Sequence, residues 1–137
     1  MADDVPDFDY SEWPMLVITQ PRQTLSVEAH RAMLARITAE AFTRGEPFVL
    51  IVDTTLSLDR PDAVHRKLTA EAMQNGSQAH PGLLLGLGLV LHRAADRHVM
   101  TALSWLARPP YPLAAFESVD KAKGWARLQL SGAKRAT

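Results

Sequence analysis

Carboxylates, imidazoles and hydroxyls are the chemistry-bearing side chains of this sequence, which contains no cysteine. That absence excludes disulfides, thiolate metal sites and cysteine nucleophiles. Asp53 closes the apolar run Phe48-Val49-Leu50-Ile51-Val52. The carboxyl end of such a strand is where open α/β sheets place their ligands, so a carboxylate there can do acid–base work. It can equally cap a turn by accepting from the hydroxyls of Thr54 and Thr55. His92 ends a second apolar run and could stand beside Asp53 as an acid–base pair. A hydrolase would also need a nucleophile and an oxyanion site, and no nucleophile motif is present. His92, Asp96 and His98 offer metal-compatible atoms, yet their spacing matches no ligand pattern, and no metal is expected. Gly86-Leu87-Gly88 is a fragment of a dinucleotide fingerprint, but it lies inside a strand and lacks the third glycine that opens a helix. Packing glycines account for it, and no cofactor is expected. His30 reads as a satisfied core histidine; His65 and His80 carry no signal.

The elements that must position these groups can be read from periodicity. Phe8 and Tyr10 alternate with Asp7 and Asp9, as in a short half-exposed strand. After a turn at Ser11-Glu12-Trp13-Pro14, Met15 to Thr19 reads as a second strand, antiparallel to the first because the connection is short. Ser26 to Arg44 is a helix with Val27, His30, Leu34, Ile37 and Ala41 at helical spacing, Thr24 or Ser26 as its cap and Gly45 at its end. Phe48 to Val52 is apolar on both faces and therefore a central parallel strand. A second helix follows from Asp59-Arg60-Pro61 through Val64, Leu68, Glu71 and Ala72, stopping near Asn75-Gly76, with a polar crossover from Gln74 to Pro81. Leu83 to Leu91 is a strand whose odd positions form one leucine face and whose glycines let a helix approach the other. A third helix spans Ala95 to Ala107 with Val99, Leu103 and Leu106 inward, and the prolines after Arg108 break it. Leu113 to Phe116 is a last short strand. Ser118 caps a final helix through Ala122, Trp125 and Leu128, and the basic tail from Ser131 is expected to fray. Helices alternating with apolar strands predict right-handed crossovers and a largely parallel sheet. The fold class is α/β: a mixed, mostly parallel sheet of about five strands with an N-terminal antiparallel hairpin and about four helices.

Composition bounds the function classes. The 137 residues are 47% hydrophobic and 22% charged, ordinary for one globular domain, and residues 1–6 and 131–137 read as flexible tails. No apolar run reaches the ~20 residues of a membrane span. The acidic start Met1-Ala2-Asp3-Asp4 is unlike a secretory signal, so the expected address is the cytoplasm. Five acids and no base stand in the first thirteen residues, leaving a surplus of five bases scattered over the rest of a chain of zero net charge. A surplus that small is a solvated surface, and no nucleic-acid partner is expected. Trp13, Trp105 and Trp125 fall on different elements and read as packing residues. Pro109-Pro110-Tyr111 is a rigid loop with an aromatic at its tip, sufficient as a helix stop and also a candidate interaction loop.

Trp13-Pro14 opening a strand, the run Phe48 to Val52 ending in Asp53, and Phe116-Glu117-Ser118 followed by Lys121-Ala122-Lys123-Gly124-Trp125 give the chain a resemblance, over nearly its whole length, to STAS-type domains, the SpoIIAA-like family of bacterial anti-sigma-factor antagonists. The resemblance implies a domain that binds partner proteins through the loop after the central strand; the missing nucleophile motif makes it non-catalytic, and the prevalence of symmetric homo-oligomers makes a second copy a further candidate partner. In that family a Ser or Thr there is the phosphoacceptor. Here the matching stretch is Asp53, Thr54, Thr55, Leu56, Ser57, Leu58 and Asp59, in which the family's Asp-Ser-Ser-Gly-like run is absent. Two other functions stay open: a small carrier of an apolar or lipid-like ligand, by analogy with related folds, and a hydrolase-like enzyme using Asp53 and His92. An apolar cavity of several hundred Å3 would favour the carrier. A solvent-open pocket joining Asp53 to His92 would favour the enzyme.

Overall fold

The central strand shows why its sequence is apolar on both sides. In the computed structural model, which describes residues 5–57 and 62–136, β3 (Phe48–Asp53) is buried throughout. Phe48, Leu50 and Val52 point into one hydrophobic cluster, and Val49 and Ile51 into a second on the opposite face. β2 (Met15–Thr19) divides in the same way, Leu16 and Ile18 to the first cluster, Met15 and Val17 to the second. The sheet order is β1-β2-β3-β4-β5, with β1 (Asp7–Glu12) antiparallel to β2 and the rest parallel, including β4 (Leu84–Val90) and β5 (Leu113–Phe116). The acid-decorated hairpin strand and the short last strand are the two edges, and the two apolar runs are buried parallel neighbours.

Three helices cover one face. α1 (Val27–Glu40) starts at Ser26, whose hydroxyl accepts from the Ala29 N–H, and continues as a 3-10 turn, Phe42–Arg44. Gly45 ends that turn at φ +70°, a conformation that costs a side-chain-bearing residue about 1 kcal/mol or more. α2 (Ala63–Ala79) is capped by Asp62, and α3 (Ala94–Ala107) packs chiefly on β5. α4 (Val119–Ala136) lies alone on the other face. No helix is long and apolar enough, among the described residues, to cross a membrane.

Several sequence expectations are corrected. The hairpin turn is only Trp13-Pro14, because β1 runs on to Glu12 through a bulge between Asp9 and Glu12. α2 starts after Asp62, while Asp59, Arg60 and Pro61 lie outside the described residues, and it does not stop at Asn75-Gly76. Gly76 is buried inside the helix, where an added Cβ would stand 2.5 Å from the Phe42 ring, so it is a packing glycine and the polar crossover begins only after Ala79. The leucine face of β4 is interrupted. Leu85 is an extra residue between the partners of Phe48 and Val49, and this bulge turns it toward α4. Val27, Val64, Val99, Leu103 and Leu128 are exposed instead of inward, whereas Met33, missed by the spacing, is buried. α4 continues to Ala136 through the stretch expected to fray. The other glycine expectation holds: an added Cβ on Gly86 would stand 2.7 Å from the Trp125 ring.

Candidate functional site

Asp53 is almost fully buried at the end of β3, and its Oδ1 accepts from both the Thr55 N–H (2.9 Å) and the Thr55 hydroxyl (2.6 Å). Thr54 donates its N–H (3.1 Å) and its hydroxyl (2.8 Å) to the Val90 carbonyl, stitching the loop to β4. The Ser57 N–H closes the turn on the Thr54 carbonyl at 3.0 Å. His92 is exposed, and its Nε2 meets the Thr55 carbonyl. A carbonyl accepts only from N–H, so His92 carries its proton on Nε2 and clamps the loop from outside. The carboxylate and the imidazole are therefore both engaged with Thr55, not with each other. His92, Asp96 and His98 are not gathered into a metal-holding group. Leu58 and Asp59 lie outside the described residues.

The cavity is elsewhere. It lies between β3, β4 and β5 and the helices α1, α2 and α3, encloses about 130 Å3, and has predominantly apolar walls that include Leu34, Val52, Leu89 and Met100. Asp53 and His92 are not among its described lining residues. Tyr111, expected at the tip of its loop, is buried against this cavity, which pushes its phenol up to about 12. Of Pro109, Pro110 and Tyr111, Pro110 is exposed and Pro109 half-buried.

One end of the cavity is polar, and two histidines make it so. His30 is 3% exposed, and its Nε2 lies 2.9 Å from the Thr69 hydroxyl of α2. His65, which carries no signal in the sequence pattern, stands edge-on to it with ring centroids 4.6 Å apart. His65 is fixed at both nitrogens, Nδ1 on Asp62 Oδ1 (2.7 Å) and Nε2 on the Leu25 carbonyl (2.7 Å). Burial, then the neighbouring His65, hold His30 below its ordinary value of 6.5. A His–Asp pair and a Thr–His pair side by side suggest catalysis, but the site lacks its remaining parts. Thr69 is in the middle of α2, where backbone N–H groups close helix bonds and supply no oxyanion donors. Periodicity could have exposed His65, three residues after the Asp62 cap, as the side chain that reaches back over a helix start.

No protein-family model matches the chain, and no curated protein does. A similar solved structure is that of an uncharacterized protein from the DUF3478 family with a SpoIIAA-like fold, from Shewanella loihica PV-4. It is 16% identical, with a TM-score of 0.57 over 89% of this chain and 92% of that one. At that identity the likeness speaks for architecture, and the five-stranded sheet with four helices described above is a SpoIIAA-like fold of the STAS type.

Proposed function

We propose that the chain is a non-catalytic regulatory or protein-interaction module of the cytoplasm, whose contact face is the β3–α2 loop with the start of α2. The observation that carries this reading is the contrast within that loop. Its acid and its threonine hydroxyls are turned into the fold, while Leu56 and, just beyond, Val64 stand 49% and 54% exposed. Exposed aliphatic side chains on an internally braced segment can bind with little ordering cost. Val99 and Leu103 of α3 extend the apolar exposure on the same side of the sheet. A phosphoryl group on Thr55 would replace a donor to Asp53 with like charge, so modification there would open the loop. A lipid-like cargo fits poorly, because about 130 Å3 is well below the volume of an acyl chain. The hydrolase reading lacks support: among the described residues Asp53 and His92 line neither cavity, and each is engaged with Thr55 instead of the other.

The test is association. Light scattering across concentration detects a second copy, and quantitative affinity capture detects another protein. Leu56→Asp is expected to weaken whichever contact wild type makes by at least tenfold, while Leu128→Asp on the far helix leaves it intact. A monomer at every concentration, with identical proteins recovered by wild type and Leu56→Asp, would overturn the proposal.

A further inference from the structure

The polar end of the cavity holds one atom that the fold does not satisfy. His30 Nδ1 is buried without a hydrogen-bond partner, in a residue that is itself 97% buried and lines the cavity. Such orphans are uncommon in folded proteins, and each points to an absent partner. Nε2 is already engaged with the Thr69 hydroxyl, so the unmet capacity of the ring lies at Nδ1. What that atom lacks is a hydrogen-bond partner.

Size and polarity fix the rest of the guest. Dry engineered cavities of roughly 150 Å3 admit benzene, and this one encloses about 130 Å3 behind walls such as Leu34, Ile37, Leu50 and Leu87. Room for a guest of about benzene's size follows from that comparison. Two charged side chains of opposite sign, Asp62 and Arg66, also line it, so neither sign of guest charge is favoured overall. We infer that the cavity is a binding site for a small apolar alcohol or phenol, its hydroxyl, which can give or take the bond, paired with His30 Nδ1 and its hydrocarbon body filling the space between α1, α2 and the sheet. This inference rests on the reading of the chain as a non-catalytic module and gives that module a ligand. Thr54, Ser57 and Asp62 belong both to the cavity wall and to the proposed contact segment, so an occupant would brace the surface offered to the partner.

Phenol, toluene and benzoate are the probes, used with the 137-residue chain and titrated by calorimetry. Methionine-methyl NMR locates the binding, since Met33 and Met100 line the cavity and Met15 lies on the opposite face. Phenol is expected to shift the Met33 and Met100 methyls but not Met15, and to bind at least tenfold more tightly than either other probe. His30→Leu should erase the preference for phenol over toluene while toluene binding stays within about threefold. The wild-type comparison of the three probes needs no variant and stands even if His30→Leu does not fold. No shift at Met33 and Met100, equal affinities for phenol and toluene, benzoate as the tightest guest, or a preference that survives His30→Leu would each overturn the site. If association still depends on Leu56 when phenol fails to bind, this inference falls and the interaction module remains.

Discussion

On one face of the sheet a single helix lies against glycine; on the other, three helices surround a cavity. The Trp125 ring of α4 occupies the space where a Gly86 side chain would be, with Gly88 and Phe116 beside it, and Ala122 and Ala126 are fully buried under the same helix. Small residues on both surfaces bring helix and strand into close contact, leaving a large aromatic to fill the gap. The opposite face packs Phe42 against Gly76 as tightly, but only at the far end of α2. Near the start of α2 the wall opens, a buried histidine meets a half-buried one, and aliphatic side chains face outward. Local conflict of this kind, in a fold otherwise consistent with its sequence, marks the region where function is placed.

The largest expected effects test whether the two faces differ in packing as described. Gly86→Ala should cost about 2 kcal/mol, because its Cβ would meet a rigid indole at 2.7 Å. Gly88→Ala should cost less than about 1 kcal/mol, since its nearest neighbours are at an ordinary 3.4 Å. Val52→Ile adds the same single carbon on the cavity side and should be neutral or gain up to about 1 kcal/mol. Urea unfolding of the three variants decides the matter. A Gly86→Ala as stable as wild type, or a Val52→Ile as damaging as Gly86→Ala, would remove the contrast.

A second effect separates the faces by pH. The folded state holds His30 below 6.5, so on acidification the unfolded chain takes up the proton first. The contribution of the neutral, buried ring is thus fully present above 6.5 and is lost as pH falls through the folded value. The groups that face it, His65, Asp62 and Thr69, all lie on α2 or its cap. Wild type should therefore lose stability between pH 6.5 and 4.5, above the carboxylate range, and His30→Leu should be flatter across that window. Parallel profiles for the two proteins would show that His30 is not held neutral.

What was legible in the sequence follows the same division. The runs Phe48 to Val52 and Leu83 to Leu91 identified the buried pair of strands because a strand covered on both sides has no polar face to confuse the period. The glycines of β4 and Trp125 of α4 could be read because close packing requires small residues opposite large ones. The helices of the other face were misread at Val64, Val99 and Leu103, since an apolar stripe shows that a face avoids water without showing whether its own fold or a partner covers it. Gly76 was taken as a stop because glycine usually ends helices; here contact with Phe42 overrides that preference. Leu85 could not be placed, as a bulge leaves no mark in an all-leucine run. The histidine pair was invisible for a plain reason: His30 and His65 stand 35 positions apart, and only the α1–α2 contact joins them. Asp53 was read both ways, and the turn-capping geometry is the one observed.

The smallest effect concerns how the edge strand is held to the cavity face. The Arg36 guanidinium lies 3.9 Å over the Phe8 ring and also pairs with Glu40, which accepts in turn from the Tyr10 hydroxyl. Arg44 continues the stack over Tyr10 and Trp13. These contacts join β1 to α1, and no pattern of hydrophobic period predicts them. Arg36 is about half exposed, so its ion pair contributes little: about 0.3–0.5 kcal/mol, and less with Arg preceding Glu than in the reverse order. The cation–π contact adds about 0.5–1 kcal/mol at such a site. Arg36→Ala should thus cost about 1 kcal/mol, and Arg36→Leu, which still covers Phe8 with hydrocarbon, about half of that. Hydrogen exchange should rise in β1 while the amides of β3 and α4 keep their protection, since the loosened edge strand does not touch that helix face through Phe8. If Arg36→Ala instead speeds exchange equally in β3 and α4, β1 is part of one cooperative unit with the core and the arginine stack is more than an edge clamp.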